Sequence, residues 1–554
     1  MSSITHDGES RRVRPGRTIF DYADELALEV PTSCKRNGEC HECIVEISAG
    51  MAALGPRSEA ESFLRGDYRL ACQAVIERAD ADIAFAPLRR RPKILASTPR
   101  PAGSVVKPVV RHHDGEVLYD GEVIDHYRGR LLGLAIDLGT TTVVMELVDL
   151  ETGDSLSTSG FGNPQRFGGS DVMHRISYDR ENGEAELQKA IVAAINAEIL
   201  ALVRRLRLAR RDIFEIVVAG NATMRDLLFG LDVQPIGQKP YKSEIELDYL
   251  AGRRPHTALL AEARELGLRA SRGAKVYGLP LVASHVGGDA AADLIAVGML
   301  DGSVETRMLV DIGTNTEVVL SHGGRMLAAS CPAGPAFEGG LITYGMPAYE
   351  GAIERLSLSA DAQTWHYRTI GDGAAEGLCG SALVDALAEL RRARLLTEKG
   401  VFTHDRKQFE TTLVPERGIT ISKRDIGNLG QAKAANYCGQ LILMRMLGIG
   451  PADVSRLYLA GGFANYVDVT NAVAIGLLAP VPADRVVKAG NASIRGAREV
   501  LLCRETRREV EAKVAGIEHV ELETTQDFFD LFVDGCQFRP MPARLSSETA
   551  VQTT

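Results

Sequence analysis

Two rhythms of apolar and polar positions divide the chain. In the first, apolar runs are short. Arg17-Thr18-Ile19-Phe20-Asp21-Tyr22 opens an amphipathic stretch that ends at Pro31, Val45 and Ile47 alternate as a strand does, and Leu70-Ala71-Cys72-Gln73 precedes the apolar Ala74-Val75-Ile76. From Leu131 onward, apolar strands alternate with long helical patterns, the texture of α/β folding. A helical period predicts helices over residues 185–207, 380–396 and 425–447. Between the two textures, residues 87–108 hold five prolines and six Lys or Arg residues. Proline stiffens a chain and removes backbone donors, so this stretch reads as an extended tether. Its basic charge would also suit docking to an acidic partner. The expected organisation is a first unit over 1–86, a linker over 87–130, and two lobes over 131–304 and 305–554.

The two lobes look duplicated. Leu134 to Val144 reads Leu-Ala-Ile-Asp-Leu-Gly-Thr-Thr-Thr-Val-Val, and Leu309 to Val319 reads Leu-Val-Asp-Ile-Gly-Thr-Asn-Thr-Glu-Val-Val. Each is an apolar strand, an Asp, a Gly two residues later, a hydroxyl-rich turn and a second apolar strand. Each lobe then reaches a second strand and turn, Ile216-Val217-Val218-Ala219-Gly220-Asn221 in one and Leu457-Tyr458-Leu459-Ala460-Gly461-Gly462 in the other. Asp137 lies 83 positions before Gly220 and Asp311 lies 150 before Gly461, so the second lobe carries an insertion of about 67 residues. The lobes are related, not copied.

Composition narrows the function classes. At 554 residues the chain is too long for one core. Its 45% apolar and 25% charged residues are ordinary for a globular protein. A net charge of −10 argues against a nucleic-acid partner, which needs a basic face. No apolar run approaches the ~18–20 residues of a bilayer span, and Met1 to Gly16 lacks the apolar core of a secretory signal. A cytoplasmic protein is expected.

Four of the nine cysteines crowd into the first part: Cys34-x5-Cys40-x2-Cys43, then Cys72 after 28 intervening residues. Three thiols on one tight loop plus a distant fourth suit a 2Fe-2S cluster with two thiolates per iron. Asn37 and Gly38 give the loop the freedom to wrap such a core. Structural zinc is the alternative, though it more often uses two separated Cys-x-x-Cys knuckles. Cys331, Cys379, Cys438, Cys503 and Cys536 are scattered and read as inert thiols. The first unit resembles the ferredoxin-type β-grasp domain. His41-Glu42 departs from that pattern, where small or basic residues are commoner, and a carboxylate there favours the oxidised cluster.

Each Asp-x-Gly-Thr turn lets the chain reverse sharply and aim several N–H groups at one anion. Thr140, Thr141 and Thr142 add hydroxyls after Gly139, and Thr314, Asn315 and Thr316 add polar donors after Gly313. Asp137 and Asp311 are placed to hold Mg²⁺ through water. One such turn is a weak signal, and two copies in related lobes are a strong one. In this order they resemble the actin-like ATPase superfamily. The resemblance makes Asp137 to Thr142 the first phosphate motif and Asp311 to Thr316 the second. It makes Gly461, Gly462 and Phe463 part of the adenosine motif, with Asp137 and Asp311 catalytic.

The whole chain resembles the reductive activators of corrinoid enzymes, which join a ferredoxin domain, a linker and an actin-like ATPase. Asn163-Pro164-Gln165, Gly169-Ser170-Asp171-Val172, Gly220-Asn221-Ala222-Thr223-Met224, Ala333-Gly334-Pro335-Ala336-Phe337-Glu338-Gly339 and Gly377-Leu378-Cys379-Gly380-Ser381 support the match. The resemblance implies ATP-dependent reduction of Co(II) to Co(I) on a corrinoid protein that serves a methyltransferase. It also implies a low-potential electron donor, and it admits a homodimer. A corrinoid of the chain's own is not expected: Asp125-His126-Tyr127-Arg128-Gly129 lacks the Asp-x-His-x-x-Gly spacing and reads as a turn. Two other classes remain open at this point. A small-molecule kinase would leave the cluster without a task. A ferredoxin-linked oxidoreductase should carry a Gly-x-Gly-x-x-Gly between strand and helix, and none is seen.

Overall fold

The computed structural model describes residues 2–6, 8–28, 30–32, 34–88, 105–183, 185–403 and 409–544. Most of the proline-rich tether, residues 89–104, lies outside them. Among the described residues no helix is long and apolar enough to cross a membrane.

The first unit is a five-stranded sheet in the order Glu9–Arg12, Ser3–His6, Ile83–Pro87, Ile44–Ala49, Tyr68–Leu70. The helix Ile19–Glu25 shares its core through Ile19, Phe20, Tyr22 and Ala23. Its start is set by a reciprocal cap: the Thr18 side chain accepts from Asp21 N–H while the Asp21 carboxylate accepts from Thr18 N–H. The wholly buried Glu61 accepts bonds from Arg69 at 2.7 and 3.1 Å and from Leu70 N–H at 3.0 Å. A buried ion pair is tolerable only with its hydrogen bonds made. Here those bonds pin the strand that delivers Cys72.

The duplication is visible in the sheets. In the first lobe the order is Ser155–Gly162, Thr142–Asp149, Leu132–Leu138, Ile213–Gly220, Lys275–Gly278, Leu259–Glu262. In the second it is Arg325–Pro332, Asn315–His322, Arg307–Ile312, Arg456–Ala460, Val486–Gly490, with Glu518–His519 beyond Arg325–Pro332. In both, the strand that ends in the key Asp pairs antiparallel with its hairpin partner and parallel with the strand that ends in Gly220 or Ala460. Parallel pairing places the motif turns at one end of each sheet, where α/β folds bind ligands. The insertion holds a three-stranded sheet over Trp365–Thr369, Ala352–Leu358 and Gly377–Leu378 and a hairpin over Glu410–Val414 and Ile419–Ser422.

The predicted helices appear as Glu186–Leu206, Gly380–Arg392 and Lys423–Met446. The second stops short of residue 396 because the chain turns at Arg394, whose φ is +60°. The 87–130 stretch differs more from expectation. Val110–His113, Glu116–Tyr119 and Glu122–His126 form an antiparallel sheet, with Val110 and Val117 buried in a core that spans both lobes. Its turns are Asp114-Gly115 and Asp120-Gly121, all four residues at positive φ, a strong hairpin signal. Asp125 and His126 belong to the last strand, where Asp125 accepts from the Ser271 hydroxyl.

The lobes meet where helices Gly288–Ala296 and Ala492–Leu502 cross. Gly496 sits so close to Ala292 that a Cβ there would fall 1.9 Å from its carbonyl oxygen. Arg495 donates across the crossing to Ala296 O at 2.7 Å.

Candidate cluster loop and nucleotide cleft

The four cysteines of the first unit converge as two pairs. Cys43 and Cys72 are buried with their sulfurs 3.3 Å apart. Cys34 and Cys40 interact through backbone and side chain and stay partly exposed. Lys35, Arg36, Gly38 and His41 all adopt positive φ, so the loop coils tightly and turns its N–H groups inward. Burial opposes ionisation of Cys34, but N–H groups of Cys40, Gly38 and Asn37 and the Cys40 thiol bring it down to about 6. Cys72 falls to about 7 through its bond from the Cys43 thiol, against burial and with help from Gln73. Cys43, which donates that bond and is more buried, is pushed up. All nine cysteines are free of disulfides. Two pairs of thiols, with Cys34 of one and Cys72 of the other ionisable near neutrality and Cys34 held by inward N–H groups, fit an iron–sulfur cluster.

The two hairpins that carry Asp137 and Asp311 face each other across the interlobe cleft. Thr141 Oγ1 lies 2.9 Å from Thr314 Oγ1, and Glu338 accepts from Thr141 at 3.0 Å and from Thr314. Residues from both motifs line the cleft: Asp137, Gly139, Thr140, Thr141, Thr142, Asp311, Gly313, Thr314 and Asn315. Gly461, Gly462 and Phe463 line it too. Gly461 has φ +113°, and a Cβ there would lie 2.3 Å from Ile312 O, so only glycine lets this turn close on the second hairpin. The Phe463 ring stacks on Phe337 with centroids 6.0 Å apart.

Thr316 differs from expectation. It does not line the cleft and is fully buried, because strand residues alternate faces: Asn315 and Glu317 take the cleft side and Thr316 the core. Several cleft residues escaped the sequence reading. Asp137 accepts from Asn491 Nδ2 at 2.7 Å and from Ser493 Oγ at 3.0 Å. Asn491 caps its helix as Asn221 does, and Asn221 donates to Thr140 Oγ1 at 3.0 Å. The repeat of Gly220-Asn221-Ala222-Thr223 as Gly490-Asn491-Ala492-Ser493 was the available signal. Asp289, at the start of the crossing helix and after Gly287-Gly288, also lines the cleft. Asn163 orients the first hairpin by donating to Gly139 O at 2.8 Å.

Five carboxylates line this cleft: Asp137, Asp289, Asp311, Glu317 and Glu338. No Lys or Arg is among its lining residues. Burial raises every one of the five pKa values, and repulsion from neighbouring carboxylates adds to it for Asp289, Asp311, Glu317 and Glu338. Asp289 reaches about 7 and Asp311 about 6. Bound protons or a cation would offset the negative charge that these carboxylates concentrate in the cleft.

Comparison with known proteins agrees with this geometry. A family model described as "2Fe-2S iron-sulfur cluster binding domain" matches residues 4–77, "RACo middle region" matches 132–301, and "C-terminal domain of RACo the ASKHA domain" matches 305–548. The corrinoid activation enzyme RamQ of Eubacterium limosum is 30% identical, over 94% of this chain and 96% of its own. The chain belongs to the corrinoid-activating enzymes. A [Co(II) methylated amine-specific corrinoid protein] reductase of Methanosarcina barkeri is 26% identical over 73% of this chain and 76% of its own. A solved reductive activator for a corrinoid, iron-sulfur protein matches at TM-score 0.71 and 27% identity, covering 98% of this chain and 99% of that one. The chain is therefore a ferredoxin-type unit joined to an actin-like ATPase.

Proposed function

We propose that this protein is an ATP-dependent reductive activator. It passes one electron from a 2Fe-2S cluster on Cys34, Cys40, Cys43 and Cys72 to the Co(II) state of a corrinoid protein, restoring Co(I) for methyl transfer. The observation that carries this reading is the paired-thiol loop and the two-hairpin cleft in one chain, in the order shared with the corrinoid-activating relatives. When bound, the cluster supplies a one-electron couple near about −400 mV. Co(I) is harder to reach. A shortfall of about 120 mV costs about 2.8 kcal/mol, within what differential binding of two states can supply.

The residues divide that work. Backbone N–H groups and hydroxyls at Thr140, Thr141, Thr142, Thr314 and Asn315 hold the phosphates, and Gly461, Gly462 and Phe463 receive the nucleoside. Asp137 and Asp311 would hold Mg²⁺, which would offset the charge of the phosphates. Asp289, with a pKa near neutrality, takes a proton from the attacking water. Lobe closure about the crossing helices then favours the corrinoid partner, and hydrolysis releases it. A low-potential donor protein reloads the cluster.

The test follows the visible spectrum of the corrinoid partner after adding reductant, this protein and Mg-ATP. Formation of Co(I) should require both the protein and the nucleotide. Equal reduction without nucleotide, at a physiological reductant potential, would overturn the ATP-driven reading.

The carboxylate cluster adds a pH prediction. Asp311 keeps its proton up to about 6, and Mg²⁺ must displace it. The carboxyl is neutral below that pH and charged above it. Mg-nucleotide affinity should therefore strengthen as pH rises from about 5 to about 7, read by calorimetry at fixed Mg²⁺. A flat profile would argue against carboxylate-held Mg²⁺.

A further inference from the structure

The helix Val172–Asn182 reaches from the first hairpin to the ferredoxin unit. Near its start Arg175 is buried beneath the first hairpin, where Nη2 donates to Thr140 O at 2.6 Å, Nε to Gly169 O at 3.1 Å, and Nη1 to Met224 Sδ at 2.9 Å. These three acceptors are all uncharged. One turn later, the Tyr178 hydroxyl donates to Phe63 O of the ferredoxin unit at 2.7 Å. Glu181, a turn further, pairs with Arg65 at 2.9 Å.

The same face of the first lobe grips the cluster loop itself. His41, between Cys40 and Cys43, stacks on Phe63 with centroids 4.4 Å apart and meets Glu186 at 3.0 Å through Nδ1. The Glu186 side chain is almost fully buried. Phe63 meets Phe167 edge to face at 6.0 Å, and Phe167 meets Tyr178 likewise at 5.4 Å. An unbroken set of contacts thus runs from the cluster loop through Phe63, Tyr178 and Arg175 to the phosphate hairpin.

We infer that this helix is a lever by which nucleotide in the cleft loosens the seat of the ferredoxin unit on the first lobe. The inference rests on the nucleotide reading of the cleft. Arg175 is a buried cation bonded only to neutral groups, so phosphates arriving at Thr140 draw it toward the cleft. A helix moves as one body, and Tyr178 moves with Arg175 away from Phe63. Freeing the cluster loop lets it approach a cobalt carried by another protein. Coupling is reciprocal: if nucleotide weakens the seat, a weakened seat strengthens nucleotide binding by the same factor.

The test uses the full chain with its cluster and a non-hydrolysable ATP analogue with Mg²⁺. Tyr178→Phe removes one hydroxyl and Glu186→Gln one charge, and neither residue lines the cleft. Both variants should keep the cluster's visible spectrum and bind the analogue about 5-fold or more tightly than the parent. Hydrogen exchange over residues 60–66 of the parent should speed up when the analogue binds, and this measurement decides alone if a variant fails to fold. Unchanged or weakened affinity in the variants, or exchange over 60–66 that ignores the analogue, overturns the lever. A parent protein that binds no analogue at all overturns the cleft reading and the lever together, so the two failures are distinguishable.

Discussion

Asp289→Asn is expected to slow ATP hydrolysis about 10²- to 10⁴-fold, the usual worth of a general base, and to leave Mg-nucleotide affinity within a few-fold. Three observations single out this carboxylate. It lines the cleft with the phosphate hairpins, it starts a helix at the lobe crossing, and its pKa is raised to about 7, chiefly by burial and then by the charges of Asp311 and Asp137. A base works best when its pKa is close to the operating pH. Asparagine keeps the size and can still accept from Ala290 N–H, as Asp289 does at 2.9 Å, so the helix start should survive. Calorimetry and single-turnover hydrolysis separate the outcomes. A large loss of Mg-nucleotide affinity with normal turnover of the bound fraction would make Asp289 a cation ligand and not the base.

What the sequence made legible follows from how local each feature is. The cysteines of the cluster loop stand out in the sequence because three thiols lie within ten residues and the fourth just past the strand Tyr68–Leu70, a spacing that points to one shared donor set. The hairpins were readable because each Asp-x-Gly-Thr turn is contiguous and the pattern appears twice. Thr316 was misplaced because a motif read as a string ignores the strand's two-residue period, which turns its side chain into the core. The sheet over 110–126 was not predicted, because its strands are only four or five residues long and its signal rests on two Asp-Gly turns.

Asp289 was out of reach for a different reason, and so was the pairing of Asn491 and Ser493 with Asp137, although a repeated string marks both residues. Asn491 bonds Asp137 across 354 positions, and only the packing of the two lobes brings them together. His41 shows the same limit. In the sequence it is an unusual neighbour of a cluster ligand, yet its partner Glu186 stands 145 residues away. Local pattern identifies the chemical groups, and tertiary packing decides which of them act together.

Two substitutions should separate the two centres and show that activation needs both. Cys40→Ser should remove the cluster and its visible absorption and reduce Co(I) formation to background, while the analogue still binds the cleft. Cys40 lies in a unit whose sheet and core helix do not contribute to the cleft, and none of the cleft-lining residues comes from it. Asp311→Ala should do the opposite. Its cluster should stay intact and reducible, because Asp311 ends a strand of the second lobe, but Mg-nucleotide binding and Co(I) formation should both fail. Mixing the two variants should not restore activity if the cluster and the ATPase must act within one chain. Recovery in the mixture would instead mean that an electron leaves one molecule while nucleotide acts on another. An Asp311→Ala protein that hydrolyses ATP normally would reduce the second hairpin to a structural element and remove the two-sided grip on which the proposed coupling depends.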